Sequence, residues 1–263
     1  MKFTKMHGLG NDYLYVFGEV PPDIAALSQK LSDRHFGAGS DGMVYISRSQ
    51  TADFKMRIFN ADGSEAMMCG NGIRCVGKYV YDKGYTDKTD LRIETLSGVK
   101  RLRLQVIGGT VAAVTVRMGA AETQPERTLR VDGREIVYLP VSVGNPHAVI
   151  FTDDAEHIPL ERLGPAIERH PDFPGGVNVE FVQPLSRERL RMRVWERGSG
   201  VTMACGTGAC ASAAAAVAKG ICAADKPVGV VLDGGTLEIT VARNRSVTMT
   251  GPAATVYEGE AAL

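Results

Sequence analysis

The sequence predicts an α/β (α+β) chain with two pseudo-symmetric domains, each a curled, mostly antiparallel sheet around a central apolar helix. Two observations predict it: one stretch of sequence occurs twice, and the same order of element signals surrounds each copy. Arg57–Gly84 reads RIFNADGSEAMMCGNGIRCVGKYVYDKG, and Arg193–Gly220 reads RVWERGSGVTMACGTGACASAAAAVAKG. They align without a gap, with Cys69 on Cys205, 136 residues apart. Identities also fall at Arg57/Arg193, Met67/Met203, Gly70/Gly206, Gly72/Gly208, Lys83/Lys219 and Gly84/Gly220. Solenoids repeat every ~20–50 residues, many times over. A single recurrence at this spacing marks a duplicated domain instead. The halves are assigned to residues 1–119 and 120–250, joined near the polar stretch AAETQPER. Residues 251–263 are open to packing back on the first half.

The element signals run in order. Alternating or β-branched stretches come first: Tyr13–Phe17, Met43–Ile46 and Phe54–Phe59, then Val141–Ile150, Val177–Val182 and Leu190–Trp195, all read as strands. A turn rich in Gly, Asn, Asp and Ser leads into C-G-x-G. Helical runs follow, Ile73–Lys83 and Ala209–Lys219, stopped by Gly84 and Gly220. Ala211–Ala218 is small and apolar on nearly every face, which predicts a helix buried all round. Strands Leu91–Glu94, Leu102–Val106 and Thr110–Met118 close the first half, and Val228–Leu232, Thr236–Val241 and Ser246–Thr250 close the second. Hairpin signals at Gly108-Gly109 and Asp233-Gly234-Gly235 separate them.

Composition excludes several classes. In 263 residues, 44% hydrophobic and 23% charged content is that of a globular domain rather than a disordered chain. Lys plus Arg (30) balances Asp plus Glu (30), so nothing points to a nucleic-acid or anionic-membrane partner. The apolar run at Ala209–Ala218 is far short of the ~20 residues that span a bilayer. Polar residues from Lys2 to Asp12 interrupt any secretory h-region. Five cysteines, an odd count without a signal peptide, read as reduced thiols of a cytoplasmic protein.

The repeated tetrad carries the chemistry. With Cys69 at a helix start, the N–H groups of Gly70, Asn71 and Gly72 have no intrahelical acceptor. Glycine lets a ligand approach the backbone, and the helix dipole adds positive potential, so this end is an anion site. Cys205, Gly206, Thr207 and Gly208 repeat it. A thiol at a helix N-terminus also has its pKa lowered, which favours thiolate. Two such ends facing one cleft would hold a carboxylate between them, with a thiol on either side of its α-carbon. One thiolate would remove a proton and the other thiol would return one, inverting the centre. Preorganised N–H donors supply the stabilisation that the carbanion needs. Nothing in the sequence indicates a pyridoxal site, so the expected chemistry uses no cofactor, and no metal. Cys75, Cys210 and Cys222 have no cysteine counterparts in the repeat and are read as packing residues.

Here the sequence resembles the diaminopimelate epimerase family. The matching stretches are KMHGLGNDY, RHFGAGSDG, FNADGSEAMMCGNGIRC, VGNPHAV, VNVEF, WERGSG and ACGTGAC, in order over most of the chain. The resemblance implies interconversion of LL- and meso-2,6-diaminopimelate in lysine and peptidoglycan biosynthesis, without pyridoxal, and often by a homodimer. It implies Cys69 and Cys205 as the acid/base pair, and Gly70-Asn71 and Gly206-Thr207 as α-carboxylate clamps. Asn11, Asn60, Asn145, Asn178 and Arg197 resemble substrate-binding positions, with Arg197 for the distal carboxylate. His147 and Glu196 match positions near the α-ammonium and the thiols. From the residues alone, Asn11 and Asn145 also read as turn residues, His147 as a core histidine and Glu196-Arg197 as an exposed pair. Two departures stand out. Some members carry Gln in place of Gly42, and many read G-E-T where this chain has Gly200-Val201-Thr202, so local hydrogen bonding there is expected to differ.

Rival readings are a proline or hydroxyproline racemase-like enzyme on the same fold, and a thiol module binding metal or cycling redox. Asn11, Asn178 and Arg197, which suit a longer dicarboxylate, argue against the first. Against the second, Cys69 and Cys75 have five intervening residues, and Cys205 and Cys210 have four without paired histidines. Gly37–Gly42 fits G-x-G-x-x-G, but no helical run follows and no P-loop lysine is present, so it reads as a turn.

Overall fold

The computed structural model describes residues 1–262. The chain divides into two compact units: Met1–Val116 with the C-terminal segment from Gly251 onward, and Arg117–Thr250. Its first elements are β1 (Lys2–Gly8), β2 (Asn11–Phe17), α1 (Ile24–Ser32), β3 (Gly42–Arg48), β4 (Phe54–Asn60) and β5 (Glu65–Ala66). Next come α2 (Gly70–Asp82), β6 (Asp90–Thr95), β7 (Gly98–Ile107), β8 (Thr110–Ala120) and β9 (Glu122–Thr123). These are followed by β10 (Arg127–Val131), β11 (Arg134–Ser142), β12 (Pro146–Phe151), α3 (Leu160–Glu168), β13 (Asn178–Ser186) and β14 (Arg189–Glu196). The last are β15 (Gly200–Val201), α4 (Gly206–Ala218), β16 (Pro227–Leu232), β17 (Gly235–Val241), β18 (Ser246–Gly251) and β19 (Ala254–Glu260).

The sheet of the first unit runs β19-β1-β2-β3-β4-β6-β7-β8, antiparallel except at β2–β3 and β4–β6. That of the second runs β9-β11-β12-β13-β14-β16-β17-β18, antiparallel except at β12–β13 and β14–β16. The two orders correspond strand for strand, and so do their registers. Met43 lies opposite Phe59 and Val179 opposite Trp195; Phe59 lies opposite Glu65 and Trp195 opposite Val201. The mixed α/β, sheet-dominated architecture is the one the sequence predicts.

Each unit holds two helices where one was expected. A parallel join needs a crossover, and α1 and α3 supply it between β2 and β3 and between β12 and β13. α1 buries Ile24, Leu27, Ser28 and Leu31, the i, i+3, i+4, i+7 stripe of a helix lying on a sheet. They meet Phe3, Leu14, Val16, Met43, Tyr45 and Phe59. α3 buries Leu160 and Ile167 against Ala148, Ile150, Val179 and Phe181. α2 and α4 take the opposite faces. Strands covered on both sides lose the alternating pattern, which is why Asp12–Val16 and Gly42–Ile46 are buried without a break.

α4 is buried from Ala209 through Ala216, as its composition predicts. α2 is less apolar than expected: Arg74 is fully buried in it, donating to Gly70 O at 3.1 Å and to Pro252 O at 3.2 Å. The second bond ties the C-terminal return to this helix. Both helices start at the glycine after the cysteine, three residues ahead of the predicted runs. The predicted strand Val141–Ile150 is interrupted: β11 ends at Ser142 and β12 begins at Pro146, because Gly144-Asn145-Pro146 turns the chain. Strands β1, β5, β9, β10, β15 and β19 lay outside the sequence reading.

Candidate active site

Cys69 is the N-cap of α2. Its Sγ accepts from Gly72 N at 3.4 Å and its carbonyl takes Ile73 N at 2.9 Å. Gly70 and Asn71 are the first two residues of this helix, both buried. The Cys69 thiol donates to Asn11 Oδ1 at 3.3 Å, and Asn11 Nδ2 donates to Asp41 Oδ2 at 2.8 Å. A carboxylate only accepts, so Asp41 dictates which end of the Asn11 amide meets the thiol. Asp41 is itself held by Asp12 N at 3.0 Å and by Arg34, which bridges Asp12 and Asp41 at 2.8 Å each. Lys5 completes the cluster, 2.9 Å from Asp12. Burial pushes the Asp12 carboxyl up, but hydrogen bonds and charge from Arg34 and Lys5 outweigh it and hold the group below its ordinary value.

Asn60, at the end of β4, gives its amide to Ser64 Oγ at 3.1 Å. Gly42 lies beside it with φ +152°, where a Cβ would sit 2.1 Å from Phe59 O. No side chain fits there on this backbone, so the Gln of some members has no equivalent at this position.

Cys205 repeats the cap on α4, with Sγ accepting from Gly208 N at 3.3 Å and lying 3.6 Å from Thr207 Oγ1. Gly206 and Thr207 are its first-turn donors. Asn145 Nδ2 donates to Thr207 Oγ1 at 3.3 Å, and Asn145 Oδ1 lies 3.1 Å from His147 Nε2. His147 Nδ1 lies 2.6 Å from Glu180 Oε1, both side chains fully buried. Asn178 donates to Pro146 O at 3.0 Å and accepts Arg197 N at 3.0 Å. The Arg197 guanidinium is exposed and donates to Gly175 O at 3.0 Å. Glu196 accepts the Thr202 hydroxyl. The second unit therefore gathers Asn145, His147, Asn178, Glu196, Arg197 and Thr207 on the ends of β12, β13 and β14, the turns beside them and the first turn of α4 that Cys205 caps.

One expectation is overturned here. The helix end was expected to lower the Cys205 thiol toward thiolate. Burial instead pushes it well above the ordinary thiol range, and the charges of Glu196 and Glu180 push it further. Hydrogen bonds from Thr207 and Gly208 N pull down without compensating. Cys205 rests as a thiol. The Glu196 carboxyl is also raised, by burial first and the Glu180 charge next, against hydrogen bonds with Thr202 and Cys205.

Sequence reasoning missed four residues. Asp41 sits in the hexad read as a turn, and Glu180 in the quoted VNVEF stretch, where it received no role. Thr202 holds Glu196. Glu168 accepts Trp195 Nε1 at 2.7 Å and Gly198 N at 2.9 Å, bracing the turn that bears Glu196 and Arg197. Val201 takes the place of Glu65 in the repeat. Glu65 pairs with Arg57 at 2.7 Å, whereas Arg193 turns to Asp233 at 3.6 Å. All five cysteines are free thiols. Among the described residues no three His, Cys, Asp or Glu side chains form a metal-binding set.

The duplicated α/β fold is shared with solved epimerases and related proteins. A hydroxyproline epimerase from Agrobacterium vitis matches with TM-score 0.71 at 20% identity, covering 98% of this chain and 90% of that one. A PhzF-family phenazine biosynthesis protein from Bacillus anthracis matches with TM-score 0.77 at 16% identity, covering 100% and 99%. These likenesses define a fold. The family follows from sequence: the diaminopimelate epimerase family model matches residues 3–124 and 139–256. The diaminopimelate epimerase of Acetivibrio thermocellus is 51% identical over 279 residues, covering 100% of this chain and 99% of that protein. That of Phocaeicola vulgatus is 52% identical over 275 residues, covering 99% and 98%. The chain belongs to the diaminopimelate epimerase family and is an isomerase.

Proposed function

We propose that this enzyme interconverts LL- and meso-2,6-diaminopimelate, with Cys69 and Cys205 acting on opposite faces of one α-carbon. The observation that carries the reading is the pair of equivalent cysteine N-caps, each with its sulfur held by the third N–H of its helix. In each direction one sulfur starts as thiolate and the other as thiol. The thiolate takes the α-hydrogen as a proton, leaving a carbanion conjugated to the carboxylate. The opposite thiol gives its proton to that carbon, and the two sulfurs have exchanged states. Gly70, Asn71, Gly206 and Thr207 carry the α-carboxylate at the helix ends, where dipole and N–H donors favour the charge that develops. Cys205, resting as a thiol, is the proton donor in one direction, and Glu196 beside it takes up its proton in the other. Asn11, Asn60, Asn145, Asn178 and His147 surround the substrate, and Arg197 takes its distal carboxylate in a bidentate fork.

The reading places the enzyme in lysine and peptidoglycan biosynthesis, in the cytoplasm, without a cofactor and as a homodimer. No helix among the described residues is long and apolar enough to cross a membrane. The test is turnover on LL-diaminopimelate in D2O, with proline as the competing substrate. Deuterium should enter the inverted carbon, and Cys69→Ala and Cys205→Ala should each abolish inversion while remaining folded. Near-normal turnover by either variant, product without label, or preference for proline would overturn it.

A further inference from the structure

Glu180 is fully buried, and its Oε2 finds no hydrogen-bond partner among the described residues. Burying a carboxylate with an orphaned oxygen is costly. The duplication supplies an internal control on whether the fold requires it. Tyr15 lies opposite Val44 in the first unit as Val149 lies opposite Glu180 in the second, so Val44 is the counterpart of Glu180. In the same register Tyr13 is the counterpart of His147. Val44 is as fully buried as Glu180. An apolar side chain therefore satisfies this place in the sheet, and the carboxylate appears only where a histidine lies beside it.

Its contacts run toward Cys205. Glu180 Oε1 is 2.6 Å from His147 Nδ1, and His147 Nε2 is 3.1 Å from Asn145 Oδ1. Asn145 reaches Thr207 Oγ1 at 3.3 Å, and Thr207 is 3.6 Å from Cys205 Sγ. The carboxylate is also wedged against the first turn of α4, since a Cβ on Gly208 would lie 2.8 Å from Oε1. An ionised carboxylate only accepts, so the proton between it and the ring belongs to Nδ1. Nε2 then accepts, which requires the Asn145 amide to turn its Nδ2 to the ring and take the Thr207 hydroxyl on Oδ1.

We propose that Glu180 is a positioning residue: it holds the Nδ1 proton of His147, fixing the ring so that Nε2 is the nitrogen offered toward Asn145, Thr207 and Cys205. This is the division of labour by which a buried carboxylate sets the working nitrogen of a catalytic histidine. It rests on the reading that Cys205 does acid/base work. Nitrogen-15 NMR of the histidines in the substrate-free parent protein reads the tautomer without any turnover, with His147→Gln assigning the resonance. Nδ1 should be protonated. Glu180→Gln keeps the size but offers either an oxygen or an NH2 to the ring. Its kcat should fall by about tenfold to a hundredfold, with KM within about twofold of the parent, and the Nδ1 signature should be lost or mixed. A parent spectrum with the proton on Nε2 alone, or a folded Gln variant with the parent's kcat, would overturn the assignment. If the parent fails to turn over diaminopimelate, the proposed function falls, while the spectrum still judges Glu180.

Discussion

The two equivalent glycines at the third helical position should respond oppositely to one added methyl group. At Gly72 a Cβ would meet Met56 Cε at 3.2 Å, the far end of a flexible side chain, and Cys69 Cβ at 3.5 Å. At Gly208 it would lie 2.8 Å from Glu180 Oε1 and 3.2 Å from Cys205 Sγ. Alanine gains up to about 1 kcal/mol over glycine in a helix interior, and less in the first turn. Met56 can give way, so Gly72→Ala should stay within about 0.5 kcal/mol of the parent. Glu180 cannot move without lengthening its 2.6 Å bond to His147. Hydrogen bonds to charged groups contribute about 1.5–3 kcal/mol, which leaves Gly208→Ala destabilised by about 1–2 kcal/mol. For a chain of this size that is a fall of roughly 2–8 °C in Tm. Thermal and urea unfolding of both variants would measure it. If Gly208→Ala proves as stable as Gly72→Ala, Glu180 is not pinned between His147 and the helix, and the argument fails.

Two further outcomes follow from titrating thiols. Burial raises Cys75 from 9.0 to about 11, against a hydrogen bond with Tyr15, so the folded protein keeps this proton after the unfolded chain has lost it. The associated stability is complete below the unfolded value and is lost as pH rises through the folded one, a loss of about 2–3 kcal/mol. Urea unfolding at neutral and strongly alkaline pH should show a shallower decline for Cys75→Ala than for the parent; equal declines would refute the assignment. Alkylation of Cys205, followed site by site by mass spectrometry, should stay slow until pH exceeds the ordinary thiol range. Glu196→Gln removes the larger of the two raising charges and should move that onset to lower pH, and an unmoved or higher onset would contradict the electrostatics.

The duplication was the most legible part of the chain, because paired glycines, cysteines and a helix stop survive in one ungapped frame. The outer helices were not legible. α1 and α3 are nine residues each, and α3 contains Gly164 and Pro165, which read as helix breakers. Tertiary burial of Leu160 and Ile167 overrides that local signal. At the site, N-cap geometry followed from the sequence because it depends on local spacing. The protonation state of Cys205 did not, because it is set first by burial and then by Glu196 and Glu180, which arrive from two other strands. Asp41 and Glu180 were invisible as partners for the same reason: a carboxylate in a turn or an apolar strand has no pattern until the sheet pairs it.

What the two halves keep and what they change have a physical logic. Both keep the cysteine cap, the glycines and the first-turn N–H groups, the parts that any bound carboxylate requires. Behind the sulfurs they diverge. Cys69 faces a neutral amide, Asn11, locked by Asp41, whose charge Arg34 partly offsets. Cys205 is held protonated by its burial first and by the charges of Glu196 and Glu180 next. A two-thiol inversion needs its sulfurs in opposite states at the outset, and identical surroundings would favour the same state in both. On the proposed mechanism, divergence at Asn60 and Glu196, at Val44 and Glu180, and at Tyr13 and His147 is what would break that degeneracy. It would do so without disturbing the helix ends, because all six residues lie on strands or strand ends and the caps are held by their own backbone.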